Sequence, residues 1–353
     1  MSVLFAILLF SFLIFIHELG HFAAAKLSGV QVNEFSLFMG PALWKKQVGE
    51  TLYAIRLIPI GGYCAMEGED GGSDNPRSFD RTAWWKRLII LAAGAAMNFV
   101  VGVALMIAIY LPVQQAVMPV IDSFEEFNTI SGENGLQVGD ILLEVDGEKI
   151  YVQSDFSMLL GLTNDEIHDL VVERQGKRVV LNDFRMEKHE VIQENGSVRM
   201  LYGVNFAYQP LTLGEKIQYG WNECLDTIRW VRLSLQMLVT GQAGIADMSG
   251  PVGIVQQMST VAQDSPTALD ALLNMLYFGA FIAINLSVMN LLPIPALDGG
   301  RIVGVLVTTA VEALTRKKID PKYEGWLHGA GMVLLLALMA VIMFKDIFVL
   351  FRG

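Results

Sequence analysis

The sequence predicts a polytopic α-helical membrane protein with four transmembrane helices, a β-hairpin and one inserted extracytoplasmic α/β domain. Of its 353 residues, 53% are hydrophobic and only 17% are charged, which is unusual for a soluble protein of this size. Several apolar runs are long enough to cross ~30 Å of hydrocarbon. The net charge of −11 argues against nucleic-acid binding, and two cysteines are too few for a disulfide framework.

The first segment, residues 1–27, contains an apolar run in which the only ionisable side chains up to position 25 are His17, Glu18 and His21. On a helix the two histidines lie one turn apart on one face, so both rings can bind one metal ion. Zn²⁺ accepts neutral imidazole nitrogen and leaves a position for water, whose proton Glu18 is placed to accept. Ionisable groups in a membrane segment are costly and indicate function. The alternatives are a pair of core histidines with an incidental glutamate, or a cleaved signal peptide.

Residues 28–87 form a connection in which two strand-like stretches, 35–44 and 51–66, predict a hairpin that turns at 45–50. The second stretch is interrupted by Pro59, Gly61 and Gly62. The alternative interpretation is a small cytosolic sheet packed on the membrane domain.

Residues 88–111 form the second predicted span, after two tryptophans and two basic residues that are typical of a membrane interface. Within it Gly94 and Asn98 make a G-x-x-x-N pattern. This pattern favours close helix packing and an interhelical hydrogen bond over a direct catalytic role.

The character of the chain changes over residues 112–210, where 17 acidic and 7 basic residues accompany short β-like runs. We expect a soluble domain there. Residues 211–266 then predict an amphipathic helix to about position 240 that lies on the bilayer, followed by a loop.

Residues 267–300 contain the third predicted span and the stretch NLLPIPALDGG at 290–300. Pro293 and Pro295 break the helix, which a membrane tolerates where the freed backbone is buried or lines a wet cavity. Asp298 follows this break and could supply a third metal ligand, although a helix cap at the membrane edge is the alternative. Residues 301–325 are a second connection and residues 326–353 the fourth span, at whose start His328 is interpreted as interfacial.

Basic residues concentrate in the two connections, which the positive-inside rule places in the cytosol. The termini should then be extracytoplasmic, and the metal should lie in the membrane towards the cytosolic side. The basic residues are Lys26 at the end of the first segment, Lys45, Lys46, Arg56, Arg77, Arg81, Lys86 and Arg87 in the first connection, and Arg316, Lys317, Lys318 and Lys322 in the second.

Together, HELGH at 17–21 and NLLPIPALDGG strongly resemble the motifs of the site-2 protease family, the intramembrane zinc metalloproteases of peptidase family M50, in its bacterial RseP-like branch. The resemblance implies that His17, His21 and Asp298 bind Zn²⁺, that Glu18 is the catalytic base, and that Asn290 assists near the active centre. It also implies that the hairpin is re-entrant and that its edge strand pairs with an extended substrate. Further support of the site would come from Pro293, Pro295, Asn98, Gly61 and Gly62.

Residues 134–147 resemble the turn and strand of a PDZ domain, through Asn134-Gly135-Leu136, Gly139-Asp140 and Val145-Asp146-Gly147. Such a domain would bind an added peptide strand or act as a steric gate against substrates with bulky outer domains, and both roles stay open.

The expected activity is hydrolysis of peptide bonds within the transmembrane segments of single-span proteins. By the family resemblance these substrates are anti-sigma factors, signal-peptide remnants or similar proteins in a bacterial cell membrane. Two other classes are a divalent-metal carrier, which would not need a peptide-binding domain, and a catalytically dead PDZ membrane scaffold. The expected partners are these substrates and the lipid bilayer, with no nucleic acid.

Overall fold

The computed structural model describes residues 2–69, 72–128, 130–132, 135–162, 165–192, 198–316 and 322–352. Asn134, Lys317 and Lys318 lie outside these residues. The chain divides into two compact units, one of Met1–Leu105 with Thr227–Gly353 and the other of Met106–Asp226. The first contains the candidate site.

Within the described residues, four helices are long and apolar enough to cross a membrane, with mean hydropathies from 1.8 to 2.5 over their most apolar windows. They are α1 (Ser2–Ser28), α2 (Trp84–Tyr110), α6 (Ala268–Asn290) and α8 (Lys322–Arg352). The prediction of a multi-pass membrane protein is confirmed.

The helix α6 begins at the N-cap Thr267, whose hydroxyl accepts a hydrogen bond from the backbone N–H of Asp270. It ends at Asn290, three residues before Pro293, and the chain resumes as α7 (Asp298–Thr315). This short break places Asp298 in the first turn of a new helix.

The first connection forms two long strands, β1 (Val32–Val48) and β2 (Thr51–Met66), joined through Gly49 and Glu50. The expected turn at 45–50 is therefore too long: cross-strand pairing continues through Lys45 and Lys46, because a two-residue loop is enough to join two antiparallel strands. Residues 34–37 of β1 are paired with both 52–55 and 62–65 of β2, with several bulges, so this part of β1 is flanked on both edges.

The second unit is built on a sheet in the order β10-β3-β4-β6-β7, with β5 paired to β4 and all pairs antiparallel. Its helix α3 (Ser154–Leu160) contributes the buried Phe156 to an apolar core that includes Leu142 and Leu170. The strands are β3 (Gln115–Phe124), β4 (Ile141–Val145), β5 (Glu148–Lys149), β6 (Ile167–Arg174), β7 (Lys177–Arg185) and β10 (Val204–Pro210), with β8 (His189–Ile192) and β9 (Val198–Leu201) forming a separate pair.

Two further helices follow this sheet. The long α4 (Leu213–Thr240) starts in the second unit and ends in the first. The shorter α5 (Pro251–Asp264) begins with proline, whose fixed φ suits the first turn of a helix. A 3₁₀ turn, Ile245–Asp247, lies between them.

Candidate metal centre

Two imidazole rings project together from α1 because their residues are four positions apart on a regular helix. The Nε2 atoms of His17 and His21 are 3.2 Å apart, and the ring planes are nearly perpendicular, at 87°. Both side chains are largely buried, with 14% and 9% of their surface exposed. The helix thus presents two nitrogen ligands at one point.

A carboxylate from α7 reaches the same point. Asp298 Oδ2 lies 3.2 Å from His17 Nε2 and 3.4 Å from His21 Nε2. It is buried and has no hydrogen-bond partner among the described residues. The break between α6 and α7, with its two prolines, gives this side chain its position.

The three atoms have the spacing that zinc requires. A tetrahedral Zn²⁺ with ligand bonds of ~2.0–2.1 Å holds its ligand atoms about 3.3 Å from one another. The observed separations of 3.2, 3.2 and 3.4 Å match this edge length. Two imidazoles and one carboxylate are also a donor set of catalytic zinc sites, which keep the fourth position open. The residues present therefore fit zinc.

Neighbouring groups orient the two rings. His21 Nδ1 lies 2.8 Å from the carbonyl oxygen of Ile90, so Nδ1–H donates to this oxygen and the Nε2 lone pair is free for a metal. The side-chain amide of Asn290 lies 3.5 Å from His17 Nδ1. These contacts bring α2 and the end of α6 to the same site as α1.

Close approach of α2 depends on two glycines. A β-carbon at Gly20 would lie 2.3 Å from the carbonyl oxygen of Ala93, so α1 and α2 are in contact there. A β-carbon at Gly94 would lie 2.4 Å from His21 Nε2 and 2.8 Å from His17 Cε1. Gly94, for which the sequence predicted close helix packing, thus lies directly beside the two histidines.

The three candidate ligands line a cavity of about 420 Å³. Glu18 and Asn290 line the same cavity. The segment 63–66 of β2 forms another wall, and only its partner β1 pairs with it among the described strands. The site therefore combines three atoms with the spacing of metal ligands, a further carboxyl group and a strand that forms one wall of the cavity.

The other predicted residues do not line the cavity among the described residues. Gly62 packs close to Glu18, since a β-carbon there would lie 3.5 Å from Glu18 Cγ, and Gly61 adopts a φ of 78°. Asn98 is buried on α2, and its Oδ1 atom has no hydrogen-bond partner within the described part of the chain. Asn98, Pro293 and Pro295 are not among the described residues that line the cavity.

Sequence reasoning missed an ion pair in the cavity wall, between Arg301 and Glu69. Arg301 comes three residues after Asp298 on α7, so helical spacing placed it on the same face as the predicted ligand. Glu69 lies in the turn after β2, where nothing in the local sequence indicated the site.

In the part of the chain that the structure describes, four apolar helices and a centre of two histidines and one aspartate, in a cavity that a glutamate also lines, define an integral-membrane zinc metalloprotease. The chain belongs to peptidase family M50, whose family model matches residues 5–338. It is 35% identical over 98% of both chains to a Clostridium perfringens protein named "Putative zinc metalloprotease".

Two further relatives carry more specific names. The chain is 28% identical to the zinc metalloprotease RasP of Oceanobacillus iheyensis and 27% identical to the regulator of sigma-W protease RasP of Bacillus subtilis, over 97% of each chain in both comparisons. The predicted family, enzyme class and zinc cofactor are confirmed.

Proposed function

We propose that this intramembrane metalloprotease cleaves peptide bonds within the membrane-spanning segments of single-span proteins, with His17, His21 and Asp298 as its zinc ligands and Glu18 as its base. The observation that carries this proposal is the mutual spacing of three ligand atoms, 3.2–3.4 Å, in the cavity that Glu18 also lines. A metal carrier offers no reason for a strand edge in the same cavity. A dead scaffold offers no reason for a complete ligand set.

The side chains divide the work of hydrolysis. Zinc, when bound, supplies Lewis acidity toward the scissile carbonyl and the attacking water. Glu18 accepts the proton of that water and delivers it to the nitrogen of the leaving amine. His21 keeps its metal-binding nitrogen free by donating from Nδ1 to Ile90, and Asn290 orients His17.

The hairpin would present the substrate. A helical peptide bond is already hydrogen-bonded, so a membrane segment must be extended before water can attack it. Pairing with the edge of β2 at 62–66 would hold an extended segment along the cavity wall. The hairpin also exposes many apolar side chains, as expected for a re-entrant element in contact with lipid: Met39, Leu43, Trp44, Ile55, Leu57 and Ile58.

The charge pattern supports an orientation with both termini outside and the metal nearer the cytosolic face. The sheet of residues 112–210 would then be extracytoplasmic and PDZ-like, binding a peptide strand or gating substrates by size. The relative named regulator of sigma-W protease favours anti-sigma factors as one substrate class, with signal-peptide remnants as another.

Substitution of Glu18 tests the catalytic assignment. Glu18→Gln should abolish cleavage of a single-span test substrate in proteoliposomes and retain one zinc per chain, because it removes the base and no ligand. Glu166→Gln makes the same charge change at an exposed residue of the other unit and should have no effect. Full turnover by Glu18→Gln would refute the role of Glu18, and zinc flux without cleavage would support the carrier instead.

Introduced cysteines test the orientation. Burial raises the pKa of both native thiols, Cys64 and Cys224, so they are poor targets for labelling. Cysteine placed at Leu314 should be cytosolic and cysteine at Ile192 extracytoplasmic; both positions are well exposed, at 85% and 75%. An impermeant thiol reagent applied to intact cells should label only the second. Equal labelling of both would overturn the proposed layout.

A further inference from the structure

The loop that carries Asp298 contains a strained turn. The backbone N–H of Leu297 donates to the carbonyl of Ile294 at 3.1 Å, which closes a four-residue β-turn. Pro295 occupies its second position and Ala296 its third, with φ at 85°. This is the pattern of a type II turn, whose third position normally requires glycine because a side chain disfavours positive φ. An alanine there needs support from its surroundings.

The helix α8 provides that support. His328 Nδ1 accepts a hydrogen bond from the backbone N–H of Ala296 at 3.1 Å. One turn later Gly331 is buried, and a β-carbon there would lie 2.5 Å from the carbonyl oxygen of Pro295. α8 therefore contacts the Pro295–Ala296 peptide group at both its oxygen and its nitrogen.

These contacts select one turn type. Type I and type II turns differ in the orientation of their central peptide group, which here joins Pro295 to Ala296. A type I turn would direct the Ala296 N–H away from the imidazole of His328. The acceptor on α8 thus compensates for the positive φ of an alanine.

We infer that His328 is a positioning residue for the metal centre: by holding the Ala296 N–H, it fixes the backbone from which the Asp298 carboxylate reaches His17 and His21. The inference rests on the proposed function of Asp298 as a zinc ligand. His328 is not among the described residues that line the cavity, so it acts through the loop and not on the substrate. Partners that orient a metal ligand change metal affinity by roughly 10–100-fold when they are removed.

Two substitutions at position 328 separate the hydrogen bond from the packing. His328→Leu removes the acceptor and should weaken zinc binding by ~10–100-fold in competition with a chelator. His328→Asn places an amide oxygen near the position of Nδ1 and should restore most of that affinity. The visible spectrum of the Co²⁺-substituted protein should change in the leucine variant and return in the asparagine variant, which a purely structural role would not produce.

A second-site change tests the turn itself. Ala296→Gly removes the strain of the positive φ. In the His328→Leu background it should therefore recover part of the lost zinc affinity, whereas in the wild type it should change little. In metal-free protein, amide hydrogen exchange over 294–297 should be faster for His328→Leu than for the wild type.

Two glycines of α8 provide a test variant and its matched control. Gly331→Ala should displace the turn and weaken zinc binding, whereas Gly329→Ala meets nothing within 4 Å and should be neutral. Wild-type zinc affinity in His328→Leu, or equal defects in the leucine and asparagine variants, would overturn the inference. Asp298→Ala distinguishes failure of the proposed ligand role of Asp298 from failure of the proposed positioning role of His328. If Asp298→Ala keeps full zinc affinity, the ligand assignment is wrong. If Asp298→Ala loses zinc and His328→Leu does not, only the role of His328 is wrong.

Discussion

Substitution of Gly94 by alanine should weaken metal binding by this protein without unfolding it. Gly94 lies on α2 and faces the two imidazole ligands of α1. A β-carbon at this position would lie 2.4 Å from His21 Nε2 and 2.8 Å from His17 Cε1, where ordinary contacts begin at 3.4 Å. Either α2 or the rings must therefore move by about 1 Å.

The size of this movement determines which property fails. Zinc sites tolerate changes of only about 0.2 Å in their ligand distances, so a ring displaced by 1 Å no longer binds the ion properly. Overpacking by one methyl group costs about 1–3 kcal/mol, which a stable membrane domain survives. If that cost falls on the metal site, zinc affinity drops by roughly 5- to 150-fold.

Gly102 gives a matched control on the same helix. A β-carbon there would lie 2.6 Å from Ile284 Cγ1, an equally close contact away from the metal. Both variants should melt at a lower temperature than the wild type, but only Gly94→Ala should bind zinc more weakly in competition with a chelator and cleave substrate more slowly. Wild-type zinc affinity and activity in Gly94→Ala would refute the reasoning, because the two rings could then accommodate the methyl group without leaving the ion.

Three further perturbations have defined outcomes. Gly61→Ala should destabilise the hairpin by about 1 kcal/mol, because Gly61 has a φ of 78° and Met39 packs against it; thermal melts should show the loss, with slower cleavage and unchanged zinc content. Hydrogen bonds from Arg77 and Lys26 lower the pKa of Glu50 to about 2 from its ordinary value of 4.5. The stability from these bonds is complete above pH 4.5 and is lost as the pH falls towards 2, so the melting temperature of Glu50→Gln should fall less steeply over that interval. Incubation with a chelator should abolish cleavage, and added Zn²⁺ should restore it; cleavage that persists in zinc-free protein would contradict a metal-dependent reaction.

The helical part of the centre was predictable from the sequence because its geometry is local. A spacing of four residues on a helix places His17 and His21 on one face whatever the helix packs against. The position of Asp298 was harder to predict, because no local sequence pattern indicates that α7 begins beside α1. The proline break before Asp298, together with the two histidines of the first segment, made this aspartate a candidate third ligand, and the family resemblance supported the pairing.

Contacts between distant elements were not predictable in this way. The pairing of residues 34–37 with two separate parts of β2 depends on bulges that the apolar pattern does not specify. His328 was interpreted as interfacial from its position at the start of the fourth span. Its hydrogen bond to Ala296 depends on the packing of α8 against a loop more than 30 residues earlier in the chain. A contact of this kind cannot be predicted from the pattern of residues in a single sequence.

The positions of the two histidines and of the aspartate are fixed in different ways. The histidines are positioned by regular helical hydrogen bonding, which continues through the whole of α1. The aspartate stands where one helix has ended and the next begins, so its position depends on packing: β-carbons at Gly299 and Gly300 would lie 2.2 Å and 2.3 Å from the carbonyl oxygens of Leu291 and Ile294. Since those contacts leave no room for a side chain, the loop must fold closely over the start of α7. Small residues without any chemistry of their own therefore limit the metal geometry as strictly as the ligands do, and the tolerance to substitution should be lowest on the aspartate side.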